Sequence, residues 1–242
     1  MNIKTGVILA AGLGSRLNEI TRAVPKELLT VGGTPIIKYT LESMLHAGVE
    51  KLIVVVGYHK KAIIDYIGSG QIFGLNVAYV FQEKQMGTGN ALLYAENFVD
   101  ENFCLMFGDD YLEPQESLKV LCASHNNDRI ATVGVSKVDD ASTTSVFRTD
   151  NQKVLEILEK PNKKELWGNI GSNGSFVLNR KIFDIIRATK PGINEEIFLS
   201  DALQLAIKND QKVFAIENAS YYMDIGIMDR YLDTNRRIFK NI

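Results

Sequence analysis

The pattern best suited to chemistry lies near the start of the chain. Leu9-Ala10-Ala11-Gly12-Leu13-Gly14-Ser15-Arg16-Leu17 begins in a short apolar run, Gly6 to Ala10, that reads as a central β-strand. Glycines where a strand hands over to a helix let backbone N–H groups approach an anion closely, and phosphate suits such a nest. Two familiar loops are excluded. A dinucleotide fingerprint wants a third glycine where Leu17 stands and an acid farther on, and the phosphate loop of many nucleoside triphosphatases wants Gly-Lys-Ser/Thr, which is absent. Gly12 and Gly14 alone serve a structural turn equally well. Two cations give the loop direction: Arg16 offers a planar fork of donors for phosphate, and Lys26 a compact point charge behind the stiffening Pro25.

Other candidates are weaker in isolation. Gln82 ends an apolar run and precedes Gln85-Met86-Gly87-Thr88-Gly89-Asn90-Ala91, which by itself is a polar loop opening a helix. Gly108-Asp109-Asp110 follows the apolar run Phe103 to Phe107, and adjacent acids there often only cap a turn. Beside several phosphates, however, a carboxylate-held Mg²⁺ is close to obligatory. Glu159-Lys160-Pro161 alone reads as solvated surface charge, and Glu196 as an acid at a helix start. His46, His59 and His125 lack metal-ligand spacing, Tyr221 and Tyr222 suit a core or cleft wall, and Cys104 and Cys122 read as reduced thiols.

Taken together, Gly12-x-Gly14-x-Arg16-Leu17 and Pro25-Lys26 resemble the N-terminal signature of the sugar-1-phosphate nucleotidyltransferases. The resemblance runs nearly the whole chain in order. It implies that Leu9, Ala11, Gly12, Gly14 and Ser15 wrap a nucleoside triphosphate while Arg16 and Lys26 stabilise charge as pyrophosphate departs. It implies base recognition by Gln82, Gly87 and Thr88; a primary amide matches the adjacent donor and acceptor of uracil or thymine, and rotated suits cytosine as well. It assigns Mg²⁺ to Asp109 and to Asp224 in Tyr222-Met223-Asp224-Ile225-Gly226, with Asp110 unassigned. It gives Glu159 the sugar hydroxyls and Lys160 the sugar phosphate, and places Asn173, Gly174 and Glu196 around the sugar. Three positions depart from the family: Asn18-Glu19-Ile20-Thr21 replaces its Pro-Leu-Thr, which implies a looser loop, while Tyr222 and Ile227 replace its tryptophan and threonine. The implied reaction joins UTP or dTTP to a sugar 1-phosphate, glucose 1-phosphate first. Its rivals are a nucleotide-sugar-dependent glycosyltransferase, a CTP-dependent cytidylyltransferase acting on a non-sugar phosphate such as phosphocholine, and a non-catalytic sensor on the same fold.

Positioning these residues requires a sheet whose strand ends meet. Apolar runs at 6–10, 52–56, 77–81 and 103–107 alternate with helical patterns at 36–45, 60–67 and from Ala91, a series of βαβ units. Thr34 and Pro35 read as N-cap and first position of the helix whose apolar face is Ile36, Ile37, Thr40, Leu41, Met44 and Leu45, with Gly48 just past its end. Later strands are expected at 130–135, 154–158, 175–178 and 213–216, and helices at 182–188, 200–208 and 231–239. The expected class is α/β, with a doubly wound, mostly parallel sheet (Rossmann-like, GT-A-like). One domain would span 1–242, with a nucleotide-binding half to about 130 and a sugar-phosphate half beyond. The chain has 242 residues, is 45% hydrophobic and carries net charge -2, so no global field recruits nucleic acid or an anionic membrane. The early first strand leaves no room for a signal peptide and no apolar run spans a bilayer, so a cytoplasmic protein is expected.

Overall fold

A computed structural model of the chain describes residues 1–17, 19–192 and 195–240. In chain order the elements are β1 (Thr5–Ala10), α1 (Glu19–Ala23), β2 (Thr30–Val31), β3 (Thr34–Pro35), α2 (Ile36–His46), β4 (Lys51–Val56), α3 (Lys60–Ile67) and β5 (Asn76–Phe81). Then come α4 (Thr88–Leu93), β6 (Asn102–Phe107), β7 (Asp110–Glu113), α5 (Ser117–Ser124), β8 (Ala131–Lys137), β9 (Ser145–Asp150) and β10 (Lys153–Glu159). The chain continues through β11 (Ile170–Asn179), α6 (Ile182–Ala188), α7 (Leu199–Lys208), β12 (Val213–Glu217), β13 (Tyr221–Asp224) and α8 (Met228–Lys240).

Nine strands form one sheet in the order β5-β4-β1-β6-β11-β8-β12-β10-β9. The expected α/β class is the one observed, and the sheet is mixed. β5, β4, β1 and β6 are parallel neighbours, as are β8 and β12, while β11, β10 and β9 run antiparallel to theirs. Successive side chains of β1 serve opposite faces. Val7 and Leu9 join the core beneath α4, α6 and α7, whereas Ile8 and Ala10 join the core beneath α2, α3 and α5. Helices therefore cover both faces, which is why β1 is buried along its whole length.

The winding of the first four strands creates the site. From β1 the chain moves outward to β4 and β5, then returns to place β6 on the other side of β1. The loops leaving β1 and β6 consequently diverge, opening the crevice at which α/β sheets bind ligands. A third apolar cluster seals it from behind: Leu17, Leu29, Val31, Ile36, Tyr111 and Ile225 pack with Met228, Tyr231 and Ile238 of α8. No helix among the described residues is long and apolar enough to cross a membrane.

Two local expectations are corrected. Thr34 is not a helix cap: Thr34 and Pro35 pair with Thr30 and Val31 across a turn in which Gly32 and Gly33 have φ of 59° and 81°. Ladder pairing takes Thr34 out of reach of the helix end, and α2 begins one residue after Pro35. Leu45 is 44% exposed, while the rest of the anticipated apolar face is buried.

The longest strand contains an irregularity with consequences for the site. β11 shifts register against β8 between Ser172 and Phe176, and Gly174 there has φ of 74°. The shift turns Asn173 inward, where it is fully buried. Its Nδ2 donates to Ser136 Oγ at 3.0 Å and to Asn218 Oδ1 at 2.7 Å, and its Oδ1 accepts from Ser175 Oγ at 2.6 Å. Asn173→Ala leaves those partners unsatisfied in a dry interior and is expected to cost roughly 1–3 kcal/mol. Urea unfolding measures this directly, and an unchanged midpoint would remove the network's structural role.

Candidate active site

The glycine loop leaves the end of β1 and folds against Lys26. Gly14 adopts φ of 65°, and its carbonyl accepts from Thr21 Oγ1 at 2.9 Å and from the Leu17 N–H at 3.0 Å. Gly12 lies against the lysine, for a Cβ there would sit 3.4 Å from Lys26 Cε. Lys26 opens a short 3₁₀ turn after Pro25, and its Nζ donates to Asp109 Oδ2 at 2.5 Å. Burial alone would drive the proton off Lys26; the charges of Asp109, Glu27 and Asp224 outweigh it and hold the ammonium above its ordinary value. Lys26 is a permanent cation. Arg16 lines the same cleft near Gly226. Asn18 and the side chains of Ser15 and Glu19 lie outside the described residues.

The acids converge through a second, two-stranded sheet. Gly108 N–H donates to Leu9 O at 3.0 Å, so β6 delivers Asp109 beside the glycine loop. β13 pairs antiparallel with β7 so that Asp224 stands opposite Asp110, and Ile225 N–H reaches Asp109 O at 3.3 Å. Two aspartates distant in sequence thus share one floor. Asp224 Oδ1 accepts from Gly226 N–H at 2.5 Å and Oδ2 from Arg230 Nη1 at 3.1 Å. Tyr222 donates its hydroxyl to Asp110 Oδ1 at 3.2 Å, but Asp110 Oδ2 and Glu27 Oε1 have no partner among the described residues. Burial, then the charges of Asp109 and Asp224, pushes Asp110 well above the carboxylate range. Asp224 rises through burial and Asp109, and burial takes Glu27 to about 7. The floor is short of positive charge. Among the described residues no group of three or more His, Cys, Asp or Glu is disposed to hold a metal ion by itself.

A third edge is built from backbone. Gln82 sits at the end of β5, 4% exposed, with Nε2 on Asn90 Oδ1 at 2.9 Å. Gly87 has φ of 93°, and a Cβ would lie 2.4 Å from Ile197 O, so a side chain is barred twice over. That close approach lets Gly89 N–H donate to Ile197 O at 2.8 Å and Leu199 N–H to Thr88 Oγ1 at 3.0 Å. α4 consequently starts at Thr88, three residues earlier than its apolar pattern indicates. Gln85 Nε2 reaches Ala11 O at 3.2 Å and ties this segment to the glycine loop.

Opposite stands the end of β10. Glu159 Oε2 accepts from Ser145 Oγ at 2.5 Å and Ser200 Oγ at 2.8 Å, and Lys160 Nζ lies 3.4 Å from Glu159 Oε1. Lys160 has φ of 43° and its ammonium is 5.0 Å from the Phe198 ring centroid. Gly174 faces the acids, where a Cβ would overlap Asp110 Oδ2 at 1.5 Å. Leu9, Ala11, Gly12, Gly14, Arg16 and Lys26 line one cleft of about 390 Å³ with Gln82, Gly87, Thr88, Asp109, Glu159, Lys160, Gly174, Glu196 and Asp224. Asn173 is the exception: its amide is spent in the buried network and does not line the cleft. The sequence reading had not singled out Glu27, Gln85, Thr143, Ser145, Ser200 or Arg230. Glu27 and Gln85 stand inside segments already marked as chemical, whereas the others, on β9, the turn before it, α7 and α8, reach the site only through tertiary packing.

Comparison with known proteins identifies the family. The family model described as nucleotidyl transferase matches residues 5–241. The chain belongs to the nucleotidyl transferase family. It is 34% identical over 237 residues to the bifunctional protein GlmU of Methanococcus maripaludis, covering 98% of this chain and 54% of that protein. The chain therefore spans about half the length of the first curated relatives it matches. A UTP–glucose-1-phosphate uridylyltransferase of Mycoplasma genitalium is 31% identical over 265 residues, covering 96% of this chain and 90% of the relative. A crystal structure of UDP-glucose pyrophosphorylase complexed with UDP-glucose superposes with a TM-score of 0.91 at 27% identity, covering 99% of this chain and all of that one.

Glu27 supplies a pH test. A carboxyl held at about 7 in the fold keeps its proton longer than in the unfolded chain. Its burial therefore penalises the fold progressively as pH climbs from the ordinary carboxylate range to about 7. Glu27→Gln should raise Tm relative to the parent at pH 8, with the difference fading by pH 4; an equal Tm difference at both values would contradict the assignment.

Proposed function

We propose that the protein transfers a nucleotidyl group from a nucleoside triphosphate to a sugar 1-phosphate, releasing pyrophosphate. The observation that carries this reading is Lys26, a charged lysine lodged between a phosphate-sized glycine loop and the Asp109–Asp224 floor, with Glu159 and Lys160 across the same cleft. In this reading residues to about 130 grip the nucleotide and the remainder the acceptor. UTP or dTTP and glucose 1-phosphate are the favoured pair. The Gln82 amide suits either base, and the relatives include a UTP–glucose-1-phosphate uridylyltransferase.

Mg²⁺ fits the residues present. Asp109 and Asp224 offer hard oxygen donors, and magnesium sites of this kind use one or two carboxylates completed by substrate phosphates and water. The unpartnered Asp110 Oδ2 in the same floor marks an uncompensated need for positive charge. When bound, the ion neutralises phosphate charge in the transition state.

The chain's own groups supply positioning and further charge. Backbone N–H groups of the loop at Gly12 and Gly14 hold the phosphates, with Arg16 and Lys26 against the departing pyrophosphate. Lys160, at the rim and 47% exposed, orients the incoming phosphate while Glu159 accepts hydroxyls of the sugar. The acceptor phosphate is itself a competent nucleophile, so attack in line with the leaving group needs no general base and no covalent enzyme intermediate. Removing one preorganised donor typically costs about 10²–10³-fold in rate. Pyrophosphate release measured over a grid of triphosphates and phosphorylated acceptors should single out a uridine or thymidine triphosphate with a hexose 1-phosphate. Lys26→Ala should lose about that factor in kcat while keeping the parent's far-UV spectrum, and near-parental turnover in this variant would overturn the assignment.

A further inference from the structure

α8 lies behind the site, yet one of its side chains reaches through to two separate walls of the cleft. Arg230 Nη1 donates to Asp224 Oδ2 at 3.1 Å, and Nη2 donates to Thr143 Oγ1. The two partners belong to different walls: Asp224 ends β13 opposite Asp110 of β7, and Thr143 closes the 3₁₀ turn Ala141–Thr143 that leads into β9, whose Ser145 holds Glu159. Thr143 lines the cleft, and its hydroxyl is fully committed, for it also donates to Asp140 O at 2.7 Å.

The segment that Arg230 grips holds the acceptor residues in turn. Thr144 Oγ1 donates to Ser172 O at 3.1 Å, and Thr144 O accepts from the Lys160 N–H at 3.3 Å. Ser145 Oγ holds Glu159 Oε2 at 2.5 Å. A displacement of Thr143 would therefore move the Glu159 carboxylate and the Lys160 backbone together. The Arg230 fork is largely enclosed, 20% exposed against 19% for Asp224, so solvent does not replace its bonds freely.

We propose that Arg230 is a positioning residue that keeps the acid Asp224 in register with the acceptor-side segment Asp140–Ser145. Acceptor affinity then depends on a side chain that does not itself line the cleft. Only a planar fork serves both walls at once; an ammonium at the same position keeps the charge beside Asp224 and loses the second bond. The kinetic part of this proposal rests on the nucleotidyl-transfer reading, whereas the mechanical part does not.

The test uses Arg230→Lys, Thr143→Val and the double variant, each with two readouts. Amide hydrogen exchange of the unliganded protein reports the segment without any reaction. It should rise about tenfold across residues 140–145 in each single variant and stay unchanged in β1 and β6, as loss of a local constraint requires. Steady-state kinetics should show the KM for glucose 1-phosphate rising about tenfold with the KM for the triphosphate unmoved. The double variant should be no worse than either single one, because both remove the same contact. Unchanged exchange would overturn the proposal, and so would additive effects or a rise in both KM values accompanied by a lower Tm. If the parent protein turns over no substrate pair, the nucleotidyl-transfer reading fails, and the exchange result still decides whether Arg230 holds the segment.

Discussion

A buried ammonium at the junction of the two halves is the constraint from which the rest of this structure follows. Glu27, Asp109, Asp110 and Asp224 crowd the end of β6 and the β7–β13 sheet, and Glu27, Asp109 and Asp110 are buried. Burying carboxylates without compensation costs several kcal/mol apiece or forces them to keep protons. Lys26 on Asp109 and Arg230 on Asp224 supply compensation, but Glu27 Oε1 and Asp110 Oδ2 are buried without a partner among the described residues, and three of the acids are raised. In the proposed reading such a floor takes an incoming cation and its rim, with Arg16 and Lys160, takes anions, so that a triphosphate arriving with a divalent cation would satisfy both.

The fold serves this arrangement at each level. Reversal of winding at β1 opens the crevice; the short pairing of β13 with β7 brings Asp224 to it; α8 holds that pairing from behind. Glycines appear where walls must touch. Gly87 admits the Ile197 carbonyl, and Gly174 leaves room for Asp110. At Gly87 the missing side chain lets two segments far apart in sequence hydrogen-bond, and at Gly174 it leaves space for a buried carboxylate.

Much of this was legible in the sequence because it is local. An apolar run buried on both faces announces β1, β4 and β6, and the helices Lys60–Ile67 and Ile182–Ala188 begin and end where their patterns do. Asp109 is visible because an acid directly after a buried strand must sit at its carboxyl end. What was not legible is long-range. Asn173 has the residue type of a sugar ligand, but a register shift in β11 turns it into a buried network. Thr34 has the composition of a helix cap, but a two-residue ladder claims it first. Ser145, Ser200 and Thr143 are ordinary hydroxyls until β9, β10 and α7 place them beside Glu159 and Arg230. Glu27 was quoted within the lysine signature, yet nothing in its neighbours states that it is buried.

In the proposed reading the acceptor phosphate attacks the triphosphate directly, in a single displacement between two substrates bound together. Isotope exchange between labelled pyrophosphate and the triphosphate tests that most directly. Label should enter the triphosphate only when the sugar phosphate or the nucleotide-sugar product is also present. Exchange with the triphosphate and pyrophosphate alone would reveal a nucleotidyl-enzyme intermediate and contradict direct transfer across this cleft.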